Sequence, residues 1–300
     1  MSTHPLVSVI IPTFNRRNDL LHCLRSLTES SYKNMEIIVV DNGSTDDTSE
    51  AVKRHYPNVR LIDLDKNTGV TGGRNAGARV AKGDFILFLD HDMVVDKEMV
   101  GTLISFMLND ENIGAIGPVI YYFNEPTKIW AAGTSINILT GKVSFNTRET
   151  NEAYFEVQVL PAAIMVRREI LQKIGLFDET FFAVYEDTDF CFRIREAGYK
   201  VMCVLRAKAW HKTPLDKKLR ELHLLSRSYY IARNKIMFMK KHAKLLNFMI
   251  FLVIFIPVFA FYYTLISLKY FDINAIKEYY KGLFDGLSCG LSKRLKNQQK

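Results

Sequence analysis

Short apolar runs recur through the first third of the chain, separated by amphipathic stretches. Val7–Pro12, Glu36–Asp41, Val59–Leu64 and Phe85–Asp90 are rich in β-branched or aromatic residues and bounded by turn residues, the pattern of buried strands. Between them lie helical patterns. Asn18 is placed to cap a helix over Asp19–Thr28, Ser44 or Thr45 one over Asp47–Arg54, and a helix over Gly72–Ala81 follows a glycine-rich turn. Strands alternating with helices predict parallel pairing through right-handed crossovers, so the expected fold class is α/β, a doubly wound, mostly parallel sheet. Ligands of such sheets collect beyond the carboxyl ends of the strands. Thr13-Phe14-Asn15, Asp41-Asn42-Gly43 and Asp90-His91-Asp92 each follow a strand and are expected to converge on one crevice.

The pattern changes downstream. Tyr121–Glu156 is aromatic-rich and carries no motif. Val159–Val166 predicts a strand, Arg168–Ile174 a short helix, Asp187–Ala197 a helix stopped by Gly198, and Val201–Leu205 another strand. Lys218–His242 predicts a long basic amphipathic helix. Leu245–Leu268 then contains no charged residue, and about 20 such residues cross a bilayer as a helix. Pro257 predicts a kink in it. Lys240, Lys241 and Lys244 precede this segment and Lys269, Lys277 and Lys281 follow it, so charge asymmetry leaves both a span and a re-entrant hairpin open. The expected organisation is a catalytic domain over 1–215, a basic amphipathic helix over 216–244, a membrane segment over 245–268 and a basic tail over 269–300. The catalytic domain is expected in the cytoplasm, at the cell membrane.

Composition narrows the class. With 300 residues, 48% apolar and 24% charged, the chain supports a real core and is not a disordered composition. Lys and Arg outnumber Asp and Glu 40 to 32, and the resulting +8 suits nucleotide phosphates, nucleic acid or an acidic membrane face. The basic residues cluster beside the apolar segment rather than among aromatics, which argues against a nucleic-acid partner. Cys23, Cys191, Cys203 and Cys289 are scattered with no CxxC pair, so neither a zinc cluster nor a disulfide scaffold is expected. The N-terminal segment lacks a basic n-region, and no secretory signal is expected.

Asp90-His91-Asp92 is the first chemical signal. Alone it is a solvated turn. After the strand Phe85–Leu89 it becomes a site for a hard divalent cation, because Mg²⁺ typically takes one or two carboxylates plus substrate phosphates. The second is Asn67–Gly77, whose glycines let backbone approach a phosphate at a helix start, with Arg74 to neutralise a diphosphate. It matches neither the dinucleotide fingerprint nor the P-loop. The third is Glu186-Asp187-Thr188-Asp189, after the aromatic run Phe181–Tyr185. Spacing alone leaves two readings open here: a capped helix start with an Asp189–Arg193 pair, or an acceptor pocket with a general base. His211 is the fourth, a lone histidine that suits either a structural role or a metal ligand, beside Lys212.

Val7–Arg16, Val39–Thr48, Asn67–Gly77, Lys82–Asp92, Ile174–Glu179, Glu186–Arg193 and Ala197–Tyr199 together resemble the inverting glycosyltransferase family 2, with its GT-A fold. The likeness is greatest to rhamnosyltransferase-type members of surface-polysaccharide pathways, whose acidic block reads EDxDxCxR. The resemblance implies transfer of a sugar from a nucleotide-diphosphate sugar to a glycan or lipid-linked acceptor, assisted by Mn²⁺ or Mg²⁺. It implies that Pro12, Thr13, Asn15 and Asp41 hold base and ribose, and that Arg74 lies near the diphosphate. Asp90 matches the ribose- or metal-facing acid, Asp92 the metal ligand, and His211 a late histidine completing that site. Asp187 matches the general base, with Glu186 and Asp189 orienting the acceptor. One departure is visible: family members commonly carry a glycine near Pro161-Ala162-Ala163, and this chain has none. The alternatives are a sugar-phosphate nucleotidyltransferase, whose glycine-rich start after strand one is absent here, and a non-catalytic nucleotide-sugar-binding membrane protein.

Overall fold

Val7–Thr13 forms strand β1, buried at every position, Ser8 and Thr13 included, as a strand must be when both faces of a sheet are covered. It pairs in parallel with β2 (Met35–Asp41) and β4 (Phe85–Leu89), and β2 pairs in parallel with β3 (Arg60–Asp63). The connections are α1 (Arg17–Thr28), α2 (Thr48–His55) and α3 (Gly69–Val80). The computed structural model describes residues 4–148 and 152–289. After β4 come β5 (Met93–Val95), α4 (Met99–Asn109), β6 (Ile113–Tyr122) and β7 (Glu125–Ala131). The segment without a sequence motif supplies β7 and three short strands, β8 (Thr134–Ile136), β9 (Val143–Phe145) and β10 (Tyr154–Glu156). Then follow β11 (Ala163–Arg167), α5 (Arg168–Ile174), α6 (Glu186–Glu196) and β12 (Lys200–His211).

The main sheet has ten strands, ordered β10-β12-β6-β11-β4-β1-β2-β3, with β5 added on β12 and β7 on β6. It is the mixed, mostly parallel α/β sheet that the alternating pattern predicts. Strand β11 enters antiparallel between β4 and β6, and β10 and β5 pair antiparallel with β12 and β7 with β6. Gly198 stops α6 as expected: it has φ 90°, its N–H donates to Arg195, and the Tyr199 N–H reaches back to Ile194.

Several boundaries differ from the sequence expectation, each for a local reason. Asn18 lies inside α1 and does not cap it; the Arg17 N–H is taken instead by Asp46 at 3.1 Å. Neither Ser44 nor Thr45 caps α2, because both are engaged by the loop after β1: Ser44 Oγ accepts from the Asn15 N–H at 2.8 Å, and the Thr45 N–H donates to Asn15 Oδ1 at 2.7 Å. The strand expected over Val201–Leu205 runs on to His211, since a register shift between Val204 and Lys208 lets it continue along β6 and reach β5. The strand expected over Val159–Val166 begins only at Ala163.

Helix α3 presses unusually close to β1. A Cβ at Gly77 would lie 2.4 Å from Ile10 Cγ2, and one at Gly73 would lie 2.8 Å from Pro12 Cβ. Only glycine permits this approach, and it fixes the height of Arg74 above the strand ends.

Chain contacts divide the protein into two units. The first contains everything up to Ser135, Ser144–Phe182 and Glu186–Thr213; the second contains Ile136–Val143, Ala183–Tyr185 and the chain from Pro214 onward. In the second, the single helix expected over Lys218–His242 is two, α7 (Lys217–Leu225) and α8 (Ser228–His242). Ser226 and Ser228 hydroxyls donate to the His223 and Leu225 carbonyls at the break, competing with helical pairing. The apolar segment is one helix, Leu245–Lys269, the one described helix long and apolar enough to cross a membrane. It is built from α9 (Leu245–Ile250), a π-helical stretch over Phe251–Phe255, and α10 (Ile256–Lys269). The π stretch lies just ahead of Pro257, whose missing N–H cannot continue the regular ladder. Ile273–Ser288 forms α11, and the rest of the expected basic tail, beyond residue 289, lies outside the described residues.

Two glycine-to-alanine variants separate contact from propensity. Gly77→Ala is expected to lower stability by about 1–3 kcal/mol through overpacking on Ile10. Gly101→Ala, inside α4 with its nearest neighbour 3.8 Å away, is expected to raise it by about 0.5–1 kcal/mol. Thermal melting of the two purified variants checks both signs.

Candidate active site

The carboxyl ends of β1, β2 and β4 carry the polar segments that the sequence points to. The turn Asp90-His91-Asp92 is fastened on two sides. Its Asp90 N–H donates to the Ala162 carbonyl at 3.0 Å, and His91 Nδ1 lies 3.2 Å from the Pro12 carbonyl oxygen. The turn closes on itself through the Met93 N–H and the Asp90 carbonyl.

Arg74 joins this turn to the acidic block. Its side chain is fully buried, with Nη2 2.7 Å from Asp90 Oδ1 and Nη1 hydrogen-bonded to Asp187 Oδ1. The Phe177 ring centroid sits 5.0 Å from its Cζ. Burial opposes the guanidinium charge, but Asp187 and then Asp90 more than offset it and hold its pKa above the ordinary arginine value. Both terminal nitrogens of the residue expected beside the diphosphate are therefore engaged by carboxylates.

The acidic block opens α6, and its members have distinct environments. Asp187 is pushed above the ordinary carboxylate range by burial, with Arg74 pulling the other way; its Oδ2 accepts from the Ala162 N–H at 3.2 Å. Burial, and then the neighbouring Asp187, push Glu186 up to about 7. Glu186 Oε2 is a buried oxygen with no hydrogen-bond partner. Asp189 is buried and pairs with Arg193 at 2.9 Å, and Arg193 also donates to the Ile174 and Leu176 carbonyls at 2.8 Å each. Of the two readings that the spacing left open, the ion pair is thus present at Asp189.

Asp92 faces His211. Pairing of β5 with β12 sets His211 opposite Met93, and Asp92 Oδ2 lies 3.2 Å from His211 Nε2. Burial alone would raise the Asp92 carboxyl, yet the charge and hydrogen bond of His211 hold it well below the usual range. One carboxylate and one imidazole nitrogen meeting at a point is a donor set that fits a divalent cation. Among the described residues no three His, Cys, Asp or Glu side chains converge as a metal cluster, so these two donors leave the rest of a coordination shell to ligand oxygens and water. Lys212, adjacent to this pair, has its ammonium 2.9 Å from Asp19.

The nucleotide-side residues cluster around β1 and β2. Thr13 is buried with no partner for its hydroxyl, a state that native proteins mostly reserve for sites completed by a ligand or water. Pro12 lies under Gly73 of α3. Asn15 adopts φ 52° and accepts the Thr45 N–H, while Asp41 accepts from the Ser44 N–H at 2.8 Å and the Ser49 hydroxyl at 2.6 Å. A cleft of about 210 Å³ opens beside them, lined by Asn15, Arg16, Arg17, Asn18, Asp19 and Asp46. A larger cavity of about 540 Å³, bordered by Gly133, Arg148, Glu156 and Arg195, contains none of the residues singled out above.

Sequence reasoning missed two features. His91 anchors the turn, but a histidine between two aspartates carries no pattern of its own. Ala162 has φ 61°, a left-handed conformation that favours glycine, in the stretch where the family's glycine is missing; its N–H serves Asp187 and its carbonyl serves Asp90.

The environment of Glu186 gives stability a defined pH dependence. Its pKa rises from 4.5 unfolded to about 7 folded, so the folded state is favoured while the group is protonated. Below pH 4.5 that advantage is fully present, and it is lost as pH rises through about 7. Glu186→Gln is expected to remove this loss, on the order of 3 kcal/mol, at pH 8 and to change little at pH 4. Chemical denaturation at the two pH values checks it.

Comparison with known proteins identifies the family and the fold. A profile of glycosyl transferase family 2 matches residues 8–175. The uncharacterised glycosyltransferase YibD of Escherichia coli K12 is 35% identical over 211 residues, 66% of this chain and 60% of YibD, so the match spans less than two thirds of that relative. The dTDP-rhamnosyl transferase RfbF of Shigella flexneri is 28% identical over 252 residues, 79% of this chain and 80% of RfbF. Two solved structures share the GT-A-like fold. The mannosyltransferase PcManGT of Pyrobaculum calidifontis, in complex with GDP-Man and Mn²⁺, superposes with a TM-score of 0.61 at 18% identity, over 96% of this chain and 77% of its own. GalNAc-T7, with UDP, GalNAc and Mn²⁺, gives 0.60 at 17% identity, over 77% of this chain and 51% of its own. With the family profile covering more than half of its residues, this chain belongs to glycosyl transferase family 2.

Proposed function

We propose that the protein transfers a sugar, with inversion, from a nucleotide-diphosphate sugar to a hydroxyl of a glycan or lipid-linked acceptor at the cytoplasmic face of a membrane. The observation that carries this reading is the buried Arg74, which holds Asp90 and Asp187 on one guanidinium. The acid assigned to the donor and the acid assigned to the acceptor are thereby kept in register. Relatives in surface-polysaccharide synthesis, including RfbF and the Myxococcus xanthus O-antigen biosynthesis protein RfbC, favour a glycan acceptor of that kind.

Asp187 is the general base. Burial raises its carboxyl above the ordinary range, which makes it a stronger base, and Arg74 and the Ala162 N–H fix its orientation. It takes the proton of the acceptor hydroxyl as that oxygen attacks the anomeric carbon opposite the departing diphosphate, so configuration inverts in one displacement. Glu186 and Asp189 shape the acceptor end: Glu186 offers its unpartnered oxygen, and Asp189 fixes the first turn of α6 through Arg193. Pro12, Thr13, Asn15 and Asp41 hold base and ribose. Arg74 acts on the diphosphate end through Asp90.

Asp92 and His211 are the residues that would hold Mn²⁺ or Mg²⁺, with Asp90 facing the same end of the donor. When bound, such a cation supplies electrostatic stabilisation for the charge that accumulates on the leaving diphosphate. The Mn²⁺ present with PcManGT and GalNAc-T7 supports that choice of ion.

The test is a panel of nucleotide sugars with Mn²⁺, scored by released nucleoside diphosphate. The expected result is turnover of a donor, lost by about 100- to 10,000-fold in Asp187→Asn while calorimetric donor binding changes little. Unchanged turnover in that variant removes Asp187 as the base. Donor binding without any release by the unaltered protein, with a membrane glycolipid extract supplied as acceptor, refutes transfer itself.

A further inference from the structure

The apolar helix Leu245–Lys269 stays attached along its length to charged helices of its own unit. It follows α8 across the turn at Ala243–Lys244. Near its centre, the Lys235 ammonium of α8 sits 3.4 Å from the Phe259 ring centroid. At its far end, Lys269 Nζ and the Tyr270 hydroxyl both reach the Glu221 carboxylate of α7 at 2.6 Å. The helix therefore runs back along α8 and α7. Helix α11 returns beside them. Cβ atoms at Gly282 and Gly286 would lie 2.3 Å and 2.8 Å from the Tyr229 and Arg233 carbonyl oxygens of α8, so the two backbones touch. Tyr229 also donates to Asp285 at 2.8 Å, and Tyr279 stacks on Tyr263 of α10 with centroids 4.2 Å apart.

A membrane crossing conflicts with these contacts. It would separate Lys244 from Lys269 by roughly 30 Å of hydrocarbon. Glu221, tied to Lys269, would have to follow, together with α8 and α11 and their Arg233, Lys240, Lys277 and Lys281. Charges inside hydrocarbon are expensive and are found paired or facing water.

The buried positions of the apolar helix face its own unit, and the broad remainder is left for lipid. Phe251, Ala260, Tyr263, Ile266 and Ser267 are buried, whereas Leu246, Val253, Phe261, Leu265 and Leu268 are exposed, Val253 by 70%. Helix α11 repeats the pattern. Ile273, Tyr280, Phe284 and Leu287 fall on one helical face and are exposed, Phe284 by 71%, and the connecting Phe271 is exposed by 91%. Lys277 and Lys281 border that stripe, with the Lys281 ammonium 5.5 Å from the Tyr229 ring centroid, and lysines at such a border can lay their stems along lipid and their ammonium groups among anionic headgroups.

We propose that these faces rest in a single leaflet of an anionic bilayer, with Leu245–Lys269 lying in the plane of the interface and not crossing it. The inference rests on the membrane attachment proposed above and specifies its form: both ends of the apolar helix remain on the side of the membrane from which it binds.

Cys289 makes the topology measurable, being the exposed cysteine where Cys23, Cys191 and Cys203 are buried. The full chain, expressed in bacteria, is treated with a membrane-impermeant maleimide in intact spheroplasts and in inverted vesicles. Labelling of Cys289 in inverted vesicles alone is the expected result, and labelling in intact spheroplasts overturns the in-plane arrangement while leaving attachment standing. In parallel, the purified chain is floated with vesicles of phosphatidylglycerol and phosphatidylethanolamine. Phe284→Asp, outside the apolar helix, is expected to weaken vesicle binding about tenfold, with its circular dichroism unchanged. Undiminished binding of that variant overturns the inference, because a spanning helix does not need α11. If the unaltered chain fails to float and instead self-associates in solution, the exposed faces join copies of the protein and the attachment itself is wrong.

Discussion

A guanidinium taken fully out of water must be met by carboxylates, and this need organises the catalytic end of the protein. Arg74 has no route to solvent, so Asp90 and Asp187 are drawn to its two terminal nitrogens. The three charges come from α3, the turn after β4 and the start of α6, segments distant in sequence. Removing any partner from such a set leaves an uncompensated charge, at about 3–5 kcal/mol in buried pairs. The close contact of Gly73 and Gly77 with β1 belongs to the same constraint, since it sets the depth to which Arg74 is carried.

Around this bridge the acids divide into two classes. Glu186 and Asp187 lie where burial dominates, and their carboxyls are raised; Asp92 lies against His211, and its carboxyl is lowered. Environments that push like groups apart in this way mark separate acid–base and charge-holding roles. In the proposed reaction the raised pair would serve proton transfer from an acceptor hydroxyl, and the lowered acid would serve a cation. In that proposed reaction, chain order from the turn after β4 to the start of α6 becomes a spatial order from donor to acceptor.

Much of this was legible in the sequence. The four strands of the first third, the helices between them and the acidic segments at their ends all follow from apolar runs and turn residues. What escaped was set by tertiary contact. The position of β11 between β4 and β6 depends on pairing that no local pattern encodes, and the extension of β12 to His211 depends on a bulge. Helix starts were misplaced where the expected caps, Ser44 and Thr45, were engaged by Asn15 instead. The full burial of Arg74 between two carboxylates cannot be read from a glycine-rich loop. At Ala162 the backbone carries a conformation without the residue that usually announces it.

The bridging role of Arg74 is the claim on which the rest depends, and Arg74→Lys isolates it. The variant keeps the positive charge and loses the fork that reaches two carboxylates at once. Steady-state transfer kinetics with the preferred donor should show kcat reduced about 100-fold, the scale of a misplaced catalytic group. A variant with kcat preserved and only the donor KM raised would show that Arg74 serves the diphosphate directly, and would contradict the account.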